Sequence, residues 1–262
     1  MSPVDITAIV NLHAEGERAS STFASIAQAK SFAEGQALVV EALAVLDQPT
    51  RDTLRFIESY DGMEFRAMQV SYGDLGQARN LGVERASGKW IAFIDGDDLW
   101  AENWLVAAHA AATSDARRVI WHPLGLLVFG EKTHLFIHVD TEDDDFDPVV
   151  LSMSNYWASQ SFAPRQVFLT LPYPKSDLSQ QLGYEDWGWN MKTLSQGFIH
   201  KCVPDTINAC RARTGSLLKA TEAKKAMPES TSLFRNMVLR RAGVEPTNHG
   251  SELRLTALAG QF

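Results

Sequence analysis

Two cysteines in 262 residues, Cys202 and Cys210, are too few for a disulfide framework. The opening residues MSPVDITAIV carry neither the basic cluster nor the long apolar stretch of a secretory signal. No run reaches the roughly 20 apolar residues that span a bilayer; the longest, ALVVEALAVL at 37–46, is broken by Glu41. Basic charge is also short, since 24 Lys and Arg against 32 Asp and Glu leave a net charge of -8. That balance argues against nucleic acid as the main partner, because phosphate backbones are bound by clustered Lys and Arg. Together these absences point to a cytoplasmic chain with free thiols and no membrane span, for which a peripheral seat at the inner face of a membrane stays open. A hydrophobic share of 45% supports a substantial core, and no repeat or low-complexity linker divides the chain. One domain over residues 1–262 is therefore expected.

The first half alternates strands and helices. ITAIVNL at 6–12 reads as a strand, and SSTFASIAQAKSFAEG as a helix with one buried face that Gly35 stops. A strand ending in AVLD at Asp47, the helix RDTLRFIESY, the short strand FRAMQV, the glycine-bearing loop SYGDLG, the helix QARNLGVERA and the strand WIAFID follow. Short connections between alternating elements predict a mostly parallel sheet between helices over residues 5–112. In residues 113–215, LGLLVFGEKTHLFIHVD reads as a hairpin about Gly130-Glu131-Lys132 and TEDDDFDP as a solvated charged loop. A structureless stretch is expected through Pro164, Pro172 and Pro174, then the acid-started helix GYEDWGWNMKTLSQG and a last strand, FIHKCV. Residues 216–262 form a tail of helical pieces separated at Pro228.

The chemistry concentrates where FIDGDDLW drives an apolar strand into Asp95, Asp97 and Asp98. Like charges this close are tolerated when water solvates them, when one keeps its proton, or when a divalent cation lies between them. An isolated acid after a strand usually starts a turn or caps the next helix, and Asp98 could cap LWAENWLVAAHAAA. A single cap does not account for three carboxylates. Ligands of open parallel sheets bind beyond the carboxyl ends of the strands, where Asp47 and Asp95 both lie. The pair Asp95 and Asp97 suits the hard ions Mn2+ or Mg2+, with a phosphate completing the shell.

The stretch from Val70 to Trp100, with GQARNLGVERASGKWIAFIDGDD, closely resembles the core of family 2 glycosyltransferases of the GT-A fold, and the likeness extends more loosely over residues 5–215. The resemblance implies an α/β, Rossmann-like, mostly parallel central sheet flanked by helices, with a nucleotide-sugar-binding half at 5–112. A smaller mixed, acceptor-side and catalytic half at 113–215 and a helical C-terminal tail at 216–262 complete it. It further implies that Asp47 contacts the nucleobase, that Arg79 and Asn80 lie by the nucleotide, that Asp95 faces the ribose and metal site, and that Asp97 ligates the cation. Asp186 is then the general base, and Glu185 orients it or holds the acceptor. The activity implied is inverting, metal-dependent transfer of a sugar from a nucleotide-diphosphate sugar to a glycan, lipid-linked or other hydroxyl acceptor, in bacterial surface glycan assembly. The Gln-x-x-Arg-Trp signature and membrane helices of processive synthases are missing, so addition of one sugar is expected. In IVNLHAEGE the proline common in relatives is absent, which leaves Asn11 to Glu15 without assigned contacts.

Two other readings compete. A phosphatase of the haloacid dehalogenase type also ends a strand in Asp-x-Asp, although near its chain start; a catalytically silent nucleotide-sugar-binding or scaffold protein would have no need of Glu185-Asp186. Arg211 and Arg213 could reach a diphosphate or acceptor, or lie solvent-exposed. His122, His134, His138 and His200 include candidates for a third metal ligand, with His134 and His138 four apart on a probable strand and able to share its face. Tyr184, Trp187 and Trp189 could stack on a sugar, with a core role expected for at least one.

Overall fold

A computed structural model describes residues 3–241. Strands β1 (Ile6–Leu12), β2 (Val40–Asp47), β3 (Arg66–Val70) and β4 (Trp90–Asp95) run parallel in the order β3-β2-β1-β4. Helices α1 (Ala19–Gly35), α2 (Arg51–Ser59) and α3 (Leu75–Arg85) connect them. Strand β1 is buried along its whole length because alternate residues enter two different cores. Ile6, Ala8, Val10 and Leu12 join Phe23 and Ile26 of α1 and Phe56 of α2, with Trp104 of α4 (Trp104–Ser114). Ile9 packs instead with Ala78 and Val83 of α3 and Phe168 of α5 (Arg165–Thr170). The sheet is thus sandwiched, as the alternation of elements predicts.

The second half continues the same sheet with mixed polarity. The long strand β5 (Val119–Gly130) folds back through Gly130, at φ +102°, to pair antiparallel with β6 (His134–Ile137), so the hairpin is present. Its other edge pairs in parallel with β8 (Ile199–Ala212). The proline stretch is not structureless: β7 (Phe162–Pro164) inserts between β4 and β5, antiparallel to both, and α5 follows at once. Pro164 is tolerated because it ends the strand and sits at the N-cap of α5, where a missing N–H is harmless. Tertiary pairing holds a three-residue strand that no local pattern announces. Helix α6 (Glu185–Ser195) starts at the acidic pair and is closed by Gly197 at φ +79°. In the tail, α7 (Leu217–Ala223) and α8 (Leu233–Arg241) flank Pro228; residues 242–262 of the tail lie outside the described residues. No helix among the described residues is long and apolar enough to cross a membrane. Both cysteines are free, and burial pushes both thiols up.

Candidate functional site

Because β1, β2 and β4 are parallel and in register, with Asn11 opposite Asp95, their carboxyl ends meet at one edge. Asp47, the last residue of β2, directs both carboxylate oxygens at the loop that follows β3. Oδ1 accepts the backbone N–H groups of Tyr72 (2.7 Å) and Gly73 (3.0 Å), and Oδ2 accepts that of Asp74 (2.9 Å). Asp74 then caps α3 by accepting the Gln77 N–H at 2.7 Å, and also takes the Ser176 N–H at 2.8 Å. In this structure Asp47 shapes the loop beside the strand ends, with all three of its contacts made to the backbone.

The three acids after β4 have separate environments. Asp95 Oδ1 pairs with Arg79 at 2.7 Å, and its Oδ2 takes the hydroxyl of Ser159 at 2.9 Å. Asp97 pairs with Arg213, which also reaches Glu15 at 3.5 Å. Asp98 is buried, accepting the Arg211 N–H (2.9 Å) and the Gln160 amide (3.1 Å). Burial, reinforced by Asp95 and Asp97, raises its carboxyl to about 8. Two guanidiniums, Arg79 on Asp95 and Arg213 on Asp97, together with the proton that burial favours on Asp98, ease the repulsion that the sequence poses. Asp98 is not a helix cap either, since α4 begins after Asn103. Between the acids, Gly96 has no alternative: a Cβ there would lie 2.9 Å from the Asn11 carbonyl oxygen and 2.5 Å from Leu12.

Arg79 joins the halves of the chain. Wholly buried on α3, it donates to Asp95 and, through its other terminal nitrogen, to Glu185 at the start of α6. Burial opposes its charge, but Asp95 and Glu185 hold the guanidinium protonated above its ordinary range. Asn80 brackets the backbone of Tyr173, donating to its carbonyl (3.0 Å) and accepting its N–H (2.9 Å). This places the chain before α6 against α3, where Gly76 leaves room; a Cβ there would meet the Pro174 oxygen at 2.4 Å. Tyr184 opens α6 at φ 56°, a left-handed conformation that a bulky residue adopts only under tertiary constraint. Asp186 is half-buried and has one side-chain hydrogen bond, accepted from Asn155 at 3.4 Å. Burial first, and Glu185 beside it second, raise its carboxyl to about 7, against the opposing pull of Arg79.

The aromatics flanking the acids are structural. Trp189 stacks on Phe168 and Tyr173 and donates to the Leu171 carbonyl (2.6 Å), while Trp187 is buried and donates to that of Leu151 (2.7 Å). Tyr184 meets Trp187 edge-on. Two of the histidines, His122 and His200, hydrogen-bond each other. Thr193 donates to backbone carbonyls and accepts His200 Nε2–H at 2.9 Å, so His200 Nδ1 accepts His122 Nε2–H, also at 2.9 Å. His138 donates Nδ1–H to the Pro123 carbonyl. His134 is exposed and His138 buried, so the two do not share an environment. Burial lowers His138 to about 4 and His200 to about 3, which keeps both neutral. A folded pKa below the unfolded value of ~6.5 gives stability that is present above pH 6.5 and lost as pH falls toward 4. The stability advantage of the wild type over His138→Gln is therefore expected to shrink by about 2 kcal/mol between pH 7 and pH 5; a constant difference in urea melts would place a charged imidazole in the fold.

Among the described residues no three His, Cys, Asp or Glu side chains converge into a cage for a metal ion. A closed protein site does not fit. Magnesium-type ions, however, are held by one or two carboxylates plus substrate phosphates, and the side chains of Asp95 and Asp97 remain 29% and 14% exposed at the edge. These hard oxygens fit an ion that arrives with a phosphate. Next to them Arg18, Arg211, Arg213, Glu131 and Thr214 line a cavity of about 350 Å³. Arg211 lies over the Phe129 ring at 4.5 Å.

Several site residues escape sequence reasoning. Asn11 is buried at the end of β1 with both side-chain polar atoms unpartnered, on the β1 residue that pairs with Asp95. Asp74 did carry a signal, because Asp followed three residues later by Gln just before a helix is a capping pattern. Asn155, Ser159 and Gln160 carry none.

Residues 7–122 match the sequence family described as Glycosyl transferase family 2. No curated protein matches the chain. Among solved structures, S. aureus TarS 1-349 in complex with UDP-GlcNAc superposes with a TM-score of 0.64 at 16% identity, over 83% of this chain and 61% of that one. The same TarS segment in complex with UDP gives 0.60 at 13% identity, over 90% and 72%. The mannosyltransferase PcManGT from Pyrobaculum calidifontis, in complex with GDP-Man and Mn2+, gives 0.58 at 16% identity, over 86% and 63%. The chain spans about three fifths of the length of the first of these. At such identities the likeness is one of fold, and the fold is GT-A.

Proposed function

From a chain whose residues 7–122 are of glycosyl transferase family 2 and whose fold is GT-A, we propose an inverting glycosyltransferase. It moves one sugar, a hexose in our reading, from a nucleotide-diphosphate sugar to a hydroxyl acceptor, in assembly of a bacterial surface glycan. One observation carries the reading: Arg79 ties Asp95, from the end of β4, to Glu185, beside Asp186 on α6. Asp95 and Glu185, about ninety residues apart in sequence, thus share one buried guanidinium.

Asp186 takes the proton of the acceptor hydroxyl as that oxygen bonds to the anomeric carbon; the sugar–phosphate bond breaks on the opposite face and the diphosphate leaves. A single base on one face gives inversion. Arg79 fixes Glu185 and Asp95, so that Asp186 alone of the three is without an arginine partner. Asp47 and its loop, with the unpartnered amide of Asn11, frame the nucleoside, and Asn80 keeps Tyr173 and the approach to α6 in place. Arg18, Arg211 and Arg213 supply forked donors for the diphosphate in their cavity. Asp97, with Asp95, would hold Mn2+ or Mg2+, which when bound offsets charge on the leaving diphosphate.

Asp97→Ala is expected to abolish cation-dependent binding of UDP or GDP, because a ligand and a charge are lost together. Calorimetry with and without Mn2+ checks this; unchanged cation-dependent affinity would remove Asp97 from the site. Incubating a panel of nucleotide sugars in Mn2+ tests the whole proposal. Slow release of nucleoside diphosphate supports it, whereas inorganic phosphate from a monoester, or binding without turnover, favours the phosphatase or scaffold.

A further inference from the structure

We propose that residues 155–160 form a strap that sets the acids of the site, with Asn155 positioning Asp186 and Ser159 positioning Asp95. The proposal rests on the reading of Asp186 as the base. Three side chains of this six-residue segment reach three acids, one on α6, one ending β4 and one in the loop beyond it: Asn155 Nδ2 to Asp186 (3.4 Å), Ser159 Oγ to Asp95 (2.9 Å) and Gln160 Nε2 to Asp98 (3.1 Å).

The strap is fixed from behind. Trp157, fully buried, stacks on His200 with ring centres 4.3 Å apart and on His122 at 5.3 Å, and donates to the Val139 carbonyl at 2.9 Å. The Ala158 N–H is accepted by His138 Nε2 at 3.2 Å. The Asn155 amide has only one workable orientation, since its Oδ1 accepts from Asn190 (3.1 Å) and from the Trp157 N–H (3.4 Å), which turns its NH2 toward Asp186. The neutral histidine stack thereby acquires a purpose: it anchors the indole from which donors reach the acids.

A donor on a carboxylate favours the ionised form. The other groups facing Asp186 are Glu185 and the Trp187 backbone N–H on its own helix, Arg79 from α3, Asp95 from β4, and the phenols of Tyr173 and Tyr184. None belongs to the strap, so its contribution can be isolated. Ser159 acts elsewhere, holding the second oxygen of Asp95 while Arg79 holds the first.

The test is a double dissociation on the full chain. Asn155→Ala should move the acid limb of kcat up by about half to one pH unit, with Mn2+-dependent affinity for UDP or GDP unchanged; Asn155→Asp should move it further. Ser159→Ala should weaken that affinity several-fold with the acid limb in place, and Ser159→Thr, which keeps the hydroxyl, should restore it. Parallel loss of kcat, affinity and melting temperature in both alanine variants would show mere loosening of the fold and overturn the proposal. A wild-type pH profile in Asn155→Ala, with Asp186→Asn inactive, would overturn the strap alone. Full turnover in Asp186→Asn would overturn the base reading and the strap with it.

Discussion

Asp186→Asn is expected to cut sugar transfer by roughly 10²–10⁴-fold, the usual worth of a general base, while leaving affinity for the nucleotide diphosphate largely intact. The substitution keeps the shape and removes the proton acceptor. Folding stability should hold or rise, because a half-buried carboxylate beside Glu185 is replaced by a neutral amide. This separates loss of chemistry from loss of fold. In the wild type the acid limb should lie near pH 7, where Asp186 is poised by burial and by Glu185 against Arg79. The base works deprotonated, so kcat rises as pH climbs through that value and falls below it. A rate independent of pH between 6 and 8, or normal turnover in the Asn variant, would assign proton removal to another group.

Arg79→Met should lower folding stability by about 3–5 kcal/mol, the range for removing one partner from a buried ion pair. The guanidinium is wholly buried between Asp95 and Glu185, and it lies 5.4 Å from the centre of the Tyr173 ring. Methionine keeps much of the apolar stem and leaves both carboxylates without their cation. Adding Glu185→Gln to Arg79→Met should recover part of the loss, because one uncompensated charge goes with it, whereas Glu185→Gln in the wild type should destabilise. Urea denaturation of the four proteins in this cycle measures the coupling. If Arg79→Met melts like the wild type, Arg79 does not bind the halves together, and the link between Asp95 and Glu185 loses its support.

The parallel half was open to reading because each signal is local. Apolar runs of strand length ending at Asp47 and Asp95, helices of near-regular period and short loops leave little freedom, so a mostly parallel sheet between helices follows from the alternation, while the order β3-β2-β1-β4 is set by which strands pair. Asp95 and Asp97 stand out for the same reason, since acids at a strand end need no distant partner to be noticed. Helix α6 begins where its acidic pair predicts. The strand β7 and helix α5 were hidden by prolines, as their existence depends on pairing with β4 and β5 and on no pattern of their own.

By itself the sequence determined the sheet, the strand-end acids and the acidic start of α6, since periodicity, capping and charge spacing act over a few residues. Only the tertiary structure decided what each acid does. Three adjacent carboxylates acquire three fates, one on Arg79, one on Arg213 and one left with a proton, according to which distant side chain packs beside each. Proton affinity and ion pairing depend on burial and on partners 16 to 116 positions away, and those distances close only when the chain folds.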